Sequence, residues 1–175
     1  MSATLESRPN AVTLKGNPMT LVGPELSVGD KAPDFALRAN DMSVKTLADY
    51  AGKTVVLSVV PSLDTPVCDT ETRRFNEEAG GLDEGVVILT VSVDLPMAQK
   101  RWCGAAGVEA VECLSDFQHH AFGKAYGVRI DEIGLLARTV FVIDGEGVIK
   151  YVQRVPEVAE EPDYAAVLEA VKAVG

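Results

Sequence analysis

Hydrophobic and polar residues alternate with two different periods along the middle of the chain, and these periods predict the order of its elements. Short apolar runs rich in valine and isoleucine, bounded by glycine or polar residues, are typical of buried strands. Longer stretches with apolar residues three and four positions apart are typical of helices that bury one face. Strands are therefore predicted at Thr54–Val60, Val86–Val93 and Val111–Ser115, and helices at about 66–79, 96–103 and 118–126.

The last third of the chain predicts a hairpin and one further helix. Two apolar segments, RTVFVID and GVIKYVQ, flank a turn at Asp144–Gly147, which favours two adjacent paired strands. In the final segment, Tyr164, Leu168 and Val171 recur at helical spacing. This spacing predicts an amphipathic helix that lies on the sheet.

The amino-terminal part predicts a small hairpin preceded by a loose tail. Val12–Lys15 and Met19–Val22 are short strand-like segments separated by Gly-Asn-Pro, which favours a turn. Residues 1–10 are polar, and we expect them to be loose. A chain of 175 residues without an internal repeat has the size of one domain, so we expect a single domain over residues 1–175.

The order of the predicted elements indicates an α/β protein. Strands and helices alternate first, and a hairpin and a final helix follow. This order resembles a thioredoxin-like fold with an N-terminal β-hairpin and one inserted strand-helix unit. A flavodoxin-like sheet also has alternating elements, so the order by itself leaves both folds open.

Composition and charge disfavour nucleic-acid and membrane partners. The net charge of -10 leaves no basic surface for nucleic acid. No apolar run reaches the length of a transmembrane helix, and the first residues lack the apolar segment of a signal peptide. Three cysteines are too few for a secreted disulfide framework, so we expect a cytoplasmic protein in which an intramolecular disulfide would be transient and functional.

One cysteine, Cys68, lies at the junction between the strand that ends at Val60 and the next predicted helix. Thr65 can cap this helix, and Pro66 suits its first position because that residue needs no N–H partner. Burial disfavours a Cys68 thiolate, whereas the unpaired N–H groups and the dipole at a helix start favour it. A lone buried cysteine is usually inert, but the residues before Cys68 favour a thiol placed for chemistry.

Acidic side chains near Cys68 create a requirement for a cation. Asp64, Asp69 and Glu71 would all oppose a thiolate if they pointed inward. The compensating positive charge must therefore come from elsewhere in the chain.

The segment before Cys68 carries a family signature. Pro61, Thr65 and Cys68 match the Pro-x-x-x-Thr-x-x-Cys pattern of the peroxiredoxins. The chain resembles in particular their thiol peroxidase subfamily, also called atypical two-cysteine peroxiredoxins, from Val12 to the C-terminus. Further matching segments are VTLKGNP near the N-terminus, SVDLPMAQKRWCGAAG at 92–107, AYGV at 125–128 and GLLARTVFVID at 134–144.

This resemblance implies roles for four residues. Cys68 would be the peroxidatic cysteine, whose thiolate attacks the terminal oxygen of a hydroperoxide and becomes a sulfenic acid. Thr65 would contact the thiolate and the peroxide, and Pro61 would shield the site from water. Arg138, immediately before TVFVID, would be the missing cation, with forked donors suited to thiolate and peroxide oxygens.

The resemblance also implies that Cys103 is the resolving cysteine, which forms an intrachain disulfide with Cys68. Gly104 and Gly107 weaken a helix by about 1 kcal/mol each relative to alanine, so we expect this end of the helix to open. A packed helical cysteine is the alternative interpretation of Cys103. Cys113 is expected to be a core thiol, although a role as an alternative resolving residue stays open.

Other conspicuous side chains are expected to be structural. His119 and His120 point about 100° apart on a helix and lack a Cys-x-x-Cys neighbour, so no metal site is predicted. Trp102 and Phe122 are expected to pack in the core, and Trp102 would report disulfide formation by its fluorescence.

The function implied by the resemblance is a thiol-dependent peroxidase. Its substrates would be hydrogen peroxide and organic hydroperoxides, it would need no metal, haem or flavin cofactor, and thioredoxin or a similar dithiol protein would reduce it. Members are commonly homodimers. The alternatives are a thioredoxin-like disulfide oxidoreductase, which usually pairs two cysteines at the helix start, and a peroxide-sensing or chaperone-like redox protein.

Overall fold

The computed structural model describes residues 5–174, in which a seven-stranded mixed sheet lies between two groups of helices and a smaller three-stranded sheet packs nearby. The strands are β1 (Ser7–Leu14), β2 (Asn17–Val22), β3 (Ala36–Ala39), β4 (Val44–Thr46), β5 (Thr54–Val59), β6 (Val86–Ser92), β7 (Glu112–Ser115), β8 (Arg129–Ile130), β9 (Thr139–Ile143) and β10 (Ile149–Arg154). The helices are α1 (Pro66–Ala79), α2 (Pro96–Ala106), α3 (Ala121–Ala125) and α4 (Tyr164–Val174), and a short 3₁₀ helix spans Leu47–Tyr50. None of the helices within 5–174 has the length and apolar character needed to cross a bilayer.

The large sheet has the strand order β10-β9-β5-β6-β7-β3-β4. Strands β5, β6 and β7 are parallel, whereas β9 runs antiparallel to β5 and continues into the hairpin with β10. This antiparallel pair beside the central strand favours the predicted thioredoxin-like arrangement over a parallel flavodoxin-like sheet.

The central strands are buried on both faces because alternate side chains enter two separate cores. From β5, Val55 and Leu57 face a core that contains Phe122 of α3, whereas Val56 faces a core that contains Phe75 of α1. These two layers explain why β5 is a continuous apolar run in the sequence.

Several predicted boundaries need correction. The tail is shorter than predicted, because Ser7–Asn10 already belong to β1, which pairs with β2; residues 1–4 lie outside the described part of the chain. The hairpin turns at Lys15 and Gly16, both at positive φ, so only the glycine of the predicted Gly-Asn-Pro turn lies in it, and Asn17 and Pro18 belong to β2. Helix α2 continues to Ala106, three residues past the predicted end.

Helix α3 is shorter than the predicted helix at 118–126. His120 has a φ of 54°, a left-handed conformation that a helix does not continue through. The carboxylate of Asp116 accepts hydrogen bonds from the N–H groups of Phe122 and Gly123, so the helix starts only after His120. The short strands β4 and β8 were not predicted.

The topology brings two segments that are distant in the sequence to the same end of the central strands. Antiparallel pairing sets Thr139 opposite Val59, the last residue of β5. Arg138 precedes Thr139 and therefore lies beside the loop that leads from β5 into α1. The start of α1 carries Cys68.

Candidate active site

Cys68 lies in the first turn of α1 and is fully buried. Pro66 occupies the first position of the helix, as the sequence predicts, so the turn carries N–H groups without intrahelical partners. The Thr72 hydroxyl donates to the Cys68 carbonyl oxygen at 2.8 Å, which fixes the backbone of this turn. The thiol therefore sits at the positive end of a 14-residue helix dipole, away from bulk water.

The structure places Arg138 beside this thiol. Its Nη2 lies 3.2 Å from Cys68 Sγ, and the guanidinium is only 2% exposed. Its Nε donates to the carbonyl oxygen of Val158 at 2.9 Å, which orients the plane of the group. The cation that the sequence requires thus comes from a residue 70 positions away.

Glu71 is the functional side chain that sequence reasoning missed. Its Oε2 forms a buried ion pair with Nη1 of Arg138, and Ser58 Oγ donates to Oε1 at 3.0 Å. We expected an inward Glu71 to oppose a thiolate, but here its charge is engaged by Arg138 and Ser58. The helical spacing of Cys68 and Glu71, three residues apart on one face, is the signal that could have identified it.

Burial and charge act in opposite directions on the ion pair. Burial raises the pKa of the Glu71 carboxyl, and Arg138 and Ser58 oppose this increase. Burial lowers the pKa of Arg138, but the charges of Glu71 and Cys68 raise it by more. Arg138 therefore remains a cation throughout the working range of pH, which a thiolate partner requires.

Thr65 and Pro61 lie in the loop that leads to the thiol. Thr65 is at the N-cap position, but its hydroxyl donates to the Ser62 carbonyl oxygen at 2.8 Å, so the predicted side-chain cap is not formed. This orientation leaves the hydroxyl oxygen free to accept a hydrogen bond. Pro61 is buried, and a cavity of about 500 Å³ over Thr65 and Pro66 opens at the helix start.

Asp94 fixes this loop from the end of β6. Its carboxylate accepts hydrogen bonds from the Ser62 hydroxyl at 2.7 Å and from the Leu63 N–H at 2.8 Å. The Ser92 hydroxyl donates to the same carboxylate at 2.7 Å. The loop before Cys68 is therefore held to the strand that leads into α2.

Cys103 lies on α2 and is 8% exposed. Its Sγ is 3.2 Å from the Sγ of Cys113 on β7, and all three cysteines of the chain are free thiols. The three thiols belong to one apolar cluster that also contains Val60 and Leu63. Cys113 is buried, as expected of a core thiol, but its direct contact with Cys103 was not predicted.

Trp102 links the two cysteine-bearing helices. Its indole Nε1–H donates to Asp69 Oδ2 at 2.8 Å, and the guanidinium of Arg73 lies 5.7 Å from the centre of its ring. Asp69 follows Cys68 and Trp102 precedes Cys103, so this contact holds α2 against the first turn of α1. Trp102 is thus a packing residue, as predicted, with a polar contact in addition.

The remaining candidates lie away from the thiol. Phe122 is core, stacked on Tyr126 with ring centres 4.3 Å apart. His119 is exposed, and Nδ1 of His120 lies 2.9 Å from Nη1 of Arg129. The two histidines share no ligand position.

Comparisons with known proteins agree with this architecture. The model of the Redoxin family matches residues 27–168. The thiol peroxidase of Halalkalibacterium halodurans is 58% identical over 93% of this chain and 98% of its own, and that of Bacillus subtilis is 52% identical over 93% and 97%. The crystal structure of a peroxiredoxin-like protein from Aquifex aeolicus superposes with a TM-score of 0.89 and 46% identity, covering 99% of this chain and 100% of that one.

A thioredoxin-like sheet with one thiol at the start of a helix defines a redox protein of the thioredoxin-like class. The chain belongs to the Redoxin family. Its resemblance to the thiol peroxidase subfamily of the peroxiredoxins is confirmed, and it is an enzyme of the thiol-dependent peroxidase type.

Proposed function

We propose that the enzyme reduces hydrogen peroxide and organic hydroperoxides through Cys68, that Cys103 resolves the resulting sulfenic acid as an intrachain disulfide, and that thioredoxin or a similar dithiol protein restores the thiols. The observation that carries this proposal is the 3.2 Å contact between Arg138 Nη2 and the buried Sγ of Cys68 at the start of α1. A buried thiolate without a cation would be costly, and Arg138 supplies one.

In the first step, the Cys68 thiolate attacks the terminal oxygen of the peroxide. The S–O bond forms as the O–O bond breaks, and the departing oxygen takes a proton and leaves as water or an alcohol. Arg138 donates to the peroxide oxygens, and the Thr65 hydroxyl oxygen accepts from the peroxide O–H, as charge moves along this bond. Pro61 limits the access of water.

Glu71 acts through Arg138. Because Nη1 is engaged by Glu71 and Nε by the Val158 carbonyl, only Nη2 is directed at the sulfur. This fixes the guanidinium before substrate arrives, so little reorganisation is needed in the transition state.

In the second step, Cys103 Sγ attacks Cys68 Sγ, the S–S bond forms and the S–O bond breaks, and hydroxide leaves and takes a proton to become water. Cys103 contacts Cys113 in the reduced structure, so α2 must open for this step. Gly107 ends the helix at a φ of 69°, and Gly104 has no atom within 4 Å of a position where a Cβ would lie. To open, this end of α2 has to give up the hydrogen bonds from Trp102 to Asp69 and from Arg73 Nη1 to the Ala106 carbonyl oxygen.

The assembly and setting complete the proposal. The chain forms one domain over residues 1–175 and works in the cytoplasm, where a dithiol reductant keeps its cysteines reduced. It forms a homodimer, for which Leu95 and Met97 at the start of α2, 50% and 60% exposed, offer apolar contact area.

Stopped-flow peroxide kinetics test the proposal. Cys68→Ser should lose turnover with a dithiol reductant. Cys103→Ser is the matched control: it should still consume one equivalent of peroxide rapidly, but form no intrachain disulfide. Full activity of Cys68→Ser, or a slow first step in Cys103→Ser, would contradict the assignment.

A further inference from the structure

Cys113 is a third thiol in contact with the resolving cysteine, and the two steps above give it no role. Its Sγ lies 3.2 Å from Cys103 Sγ, within hydrogen-bonding distance for two sulfurs. Cys113 is 1% exposed and belongs to β7, where it pairs with Thr90 of β6 in the parallel part of the sheet. Its sulfur is therefore held by the sheet, whereas Cys103 lies on the helix end that opens.

The surroundings of Cys103 require such a contact. A resolving cysteine reacts as a thiolate, yet Cys103 lies toward the C-terminal end of α2, where the helix dipole disfavours negative charge. The last turn of α2 carries no basic residue. The charged residues around the two thiols are Asp41 and Lys45 beside β3 and β4, Asp94 after β6, Glu109 before β7 and Glu112 on β7.

Four of these five charged groups are acidic, and Asp94 and Glu112 among them raise the pKa of Cys113. A neutral S–H donor can stabilise the thiolate without adding a further charge. Cys113 is the group in that position, because its sulfur lies deeper than that of Cys103 and its own ionisation would be still less favourable.

The direction of the hydrogen bond follows from these environments. Hydrogen bonding lowers the pKa of Cys103 to about 7 against the effect of burial, and Cys113 makes the largest contribution, ahead of the Asn40 side chain and the backbone. The contact with Cys103, burial, and the charges of Asp94 and Glu112 raise the pKa of Cys113. When the pair loses one proton near neutral pH, the remaining proton therefore resides on Cys113 and the negative charge on Cys103.

We propose that Cys113 is a positioning residue for the resolving step: its S–H donates a hydrogen bond to Cys103 Sγ and holds that sulfur as a thiolate until the sulfenic acid forms. This inference rests on the proposed function, since it assumes that Cys103 attacks Cys68. Cys113 keeps its proton throughout and is not oxidised. A cavity of about 550 Å³ lined by both cysteines connects the pair to solvent for proton exchange.

The pH dependence of the resolving step tests this inference. Reduced protein is mixed with one equivalent of peroxide and quenched by alkylation, and mass spectrometry follows conversion of the sulfenic acid to the Cys68–Cys103 disulfide between about pH 5 and pH 9. In the wild type the rate should rise through an inflection near 7. In Cys113→Ala the inflection should move toward the ordinary value of about 8.5, and the rate at pH 7 should fall roughly tenfold.

The conservative variant separates the hydrogen bond from packing. Cys113→Ser retains a donor, so it should restore most of the rate and return the inflection toward the wild-type value. The rate of Cys68 oxidation should be the same in all three proteins. An unchanged pH profile in Cys113→Ala, or a peroxide-dependent disulfide that includes Cys113 in the wild type, would overturn the inference.

A second measurement does not depend on peroxidase activity. In a Cys68→Ser background, the thiolate absorbance of the fully reduced protein should titrate near pH 7. Adding Cys113→Ser should shift the midpoint of this titration less than adding Cys113→Ala does. If this titration is found but peroxide yields no Cys68–Cys103 bond in the wild type, the proposed function fails, whereas the hydrogen bond between Cys113 and Cys103 is supported. If the bond forms but the titration is absent, the inference fails alone.

Discussion

At the start of α1, two acidic groups and one cation lie together in a buried site. Cys68 and Glu71 lie one helical turn apart on the buried face, and the guanidinium of Arg138 bridges them. The negative charge on each of these two acidic groups can be buried because the Arg138 guanidinium compensates both. The site therefore depends on Arg138 for its chemistry and for its stability, and the two dependences can be measured separately.

Replacing Arg138 with Met should slow the oxidation of Cys68 by about 10²-fold at pH 7. The change removes the guanidinium donor directed at the sulfur while it keeps a long apolar side chain, and losing a single preorganised donor of this kind costs about that factor. Stopped-flow measurement of the second-order rate with hydrogen peroxide gives the result. Arg154→Met is the control, since Arg154 is half-buried and donates to the Leu26 carbonyl oxygen, away from the sulfur; an equal loss in both variants would remove Arg138 from the site.

Replacing Glu71 with Ala should lower the free energy of unfolding by about 3–5 kcal/mol, because it leaves the buried guanidinium without its carboxylate. The same helix offers a matched comparison in Glu78, whose ion pair with Arg74 is solvent-exposed. Glu78→Ala should cost about 0–1 kcal/mol. Urea denaturation of both variants measures the difference, and equal midpoints would contradict a buried, stabilising role for Glu71.

Among the elements, the contact between α1 and α2 bears on the proposed disulfide, because Cys68 lies on α1 and Cys103 on α2. Helix α1 is anchored by Phe75 in the core, whereas α2 contacts its first turn through the hydrogen bond from Trp102 to Asp69. Arg73 and Trp102 hold the pKa of Asp69 below its usual range, with Arg73 the larger cause. The contact is therefore present above the ordinary aspartate pKa and is lost only as the pH falls through the lowered value, so it is intact throughout the neutral range.

Replacing Trp102 with Phe should speed disulfide formation roughly 2- to 10-fold without changing the oxidation of Cys68. The variant keeps an aromatic ring but loses the donor to Asp69, and a net hydrogen bond contributes about 0.5–1.5 kcal/mol to holding α2 closed. The quenched-flow alkylation assay measures the rate. Tyr164→Phe, which removes a hydroxyl bonded to Glu161 beside α4, should leave the rate unchanged.

Gly104→Ala should slow disulfide formation, whereas Trp102→Phe should speed it. The site is open and the residue is helical, so alanine fits and strengthens α2 by about 1 kcal/mol, which should slow disulfide formation roughly fivefold. Faster resolution in Gly104→Ala would show that opening of α2 does not limit this step.

For the whole molecule, the sequence predicted the strands and helix starts, which depend on local residue patterns. It did not predict the side-chain contacts between elements, which depend on tertiary packing. The continuous apolar run of β5 follows from periodicity and the start of α1 from Pro66, and the family resemblance proposed Cys68 and Arg138, which lie 3.2 Å apart. Glu71 was missed because a charged residue is normally assigned to the exposed face of a helix. The contact of Cys103 with Cys113 depends on how α2 rotates over β7, which no local pattern specifies.

The difference between a sheet buried in two cores and an α2 that ends at a glycine predicts where oxidation will change the dynamics of the molecule. Strands β5 and β9 are buried in two cores and are hydrogen-bonded to each other as an antiparallel pair, so their amides should stay protected from exchange in both redox states. Forming the Cys68–Cys103 bond separates Cys103 from Cys113 and should unwind the last turn of α2, so amides at about 102–107 should exchange much faster after one equivalent of peroxide. Hydrogen exchange followed by mass spectrometry measures both regions, with peroxide-treated Cys103→Ser as the control that keeps α2 closed. Loss of protection in β5 and β9 would mean that the disulfide forms by opening the core and not by the local movement that the glycines of α2 permit.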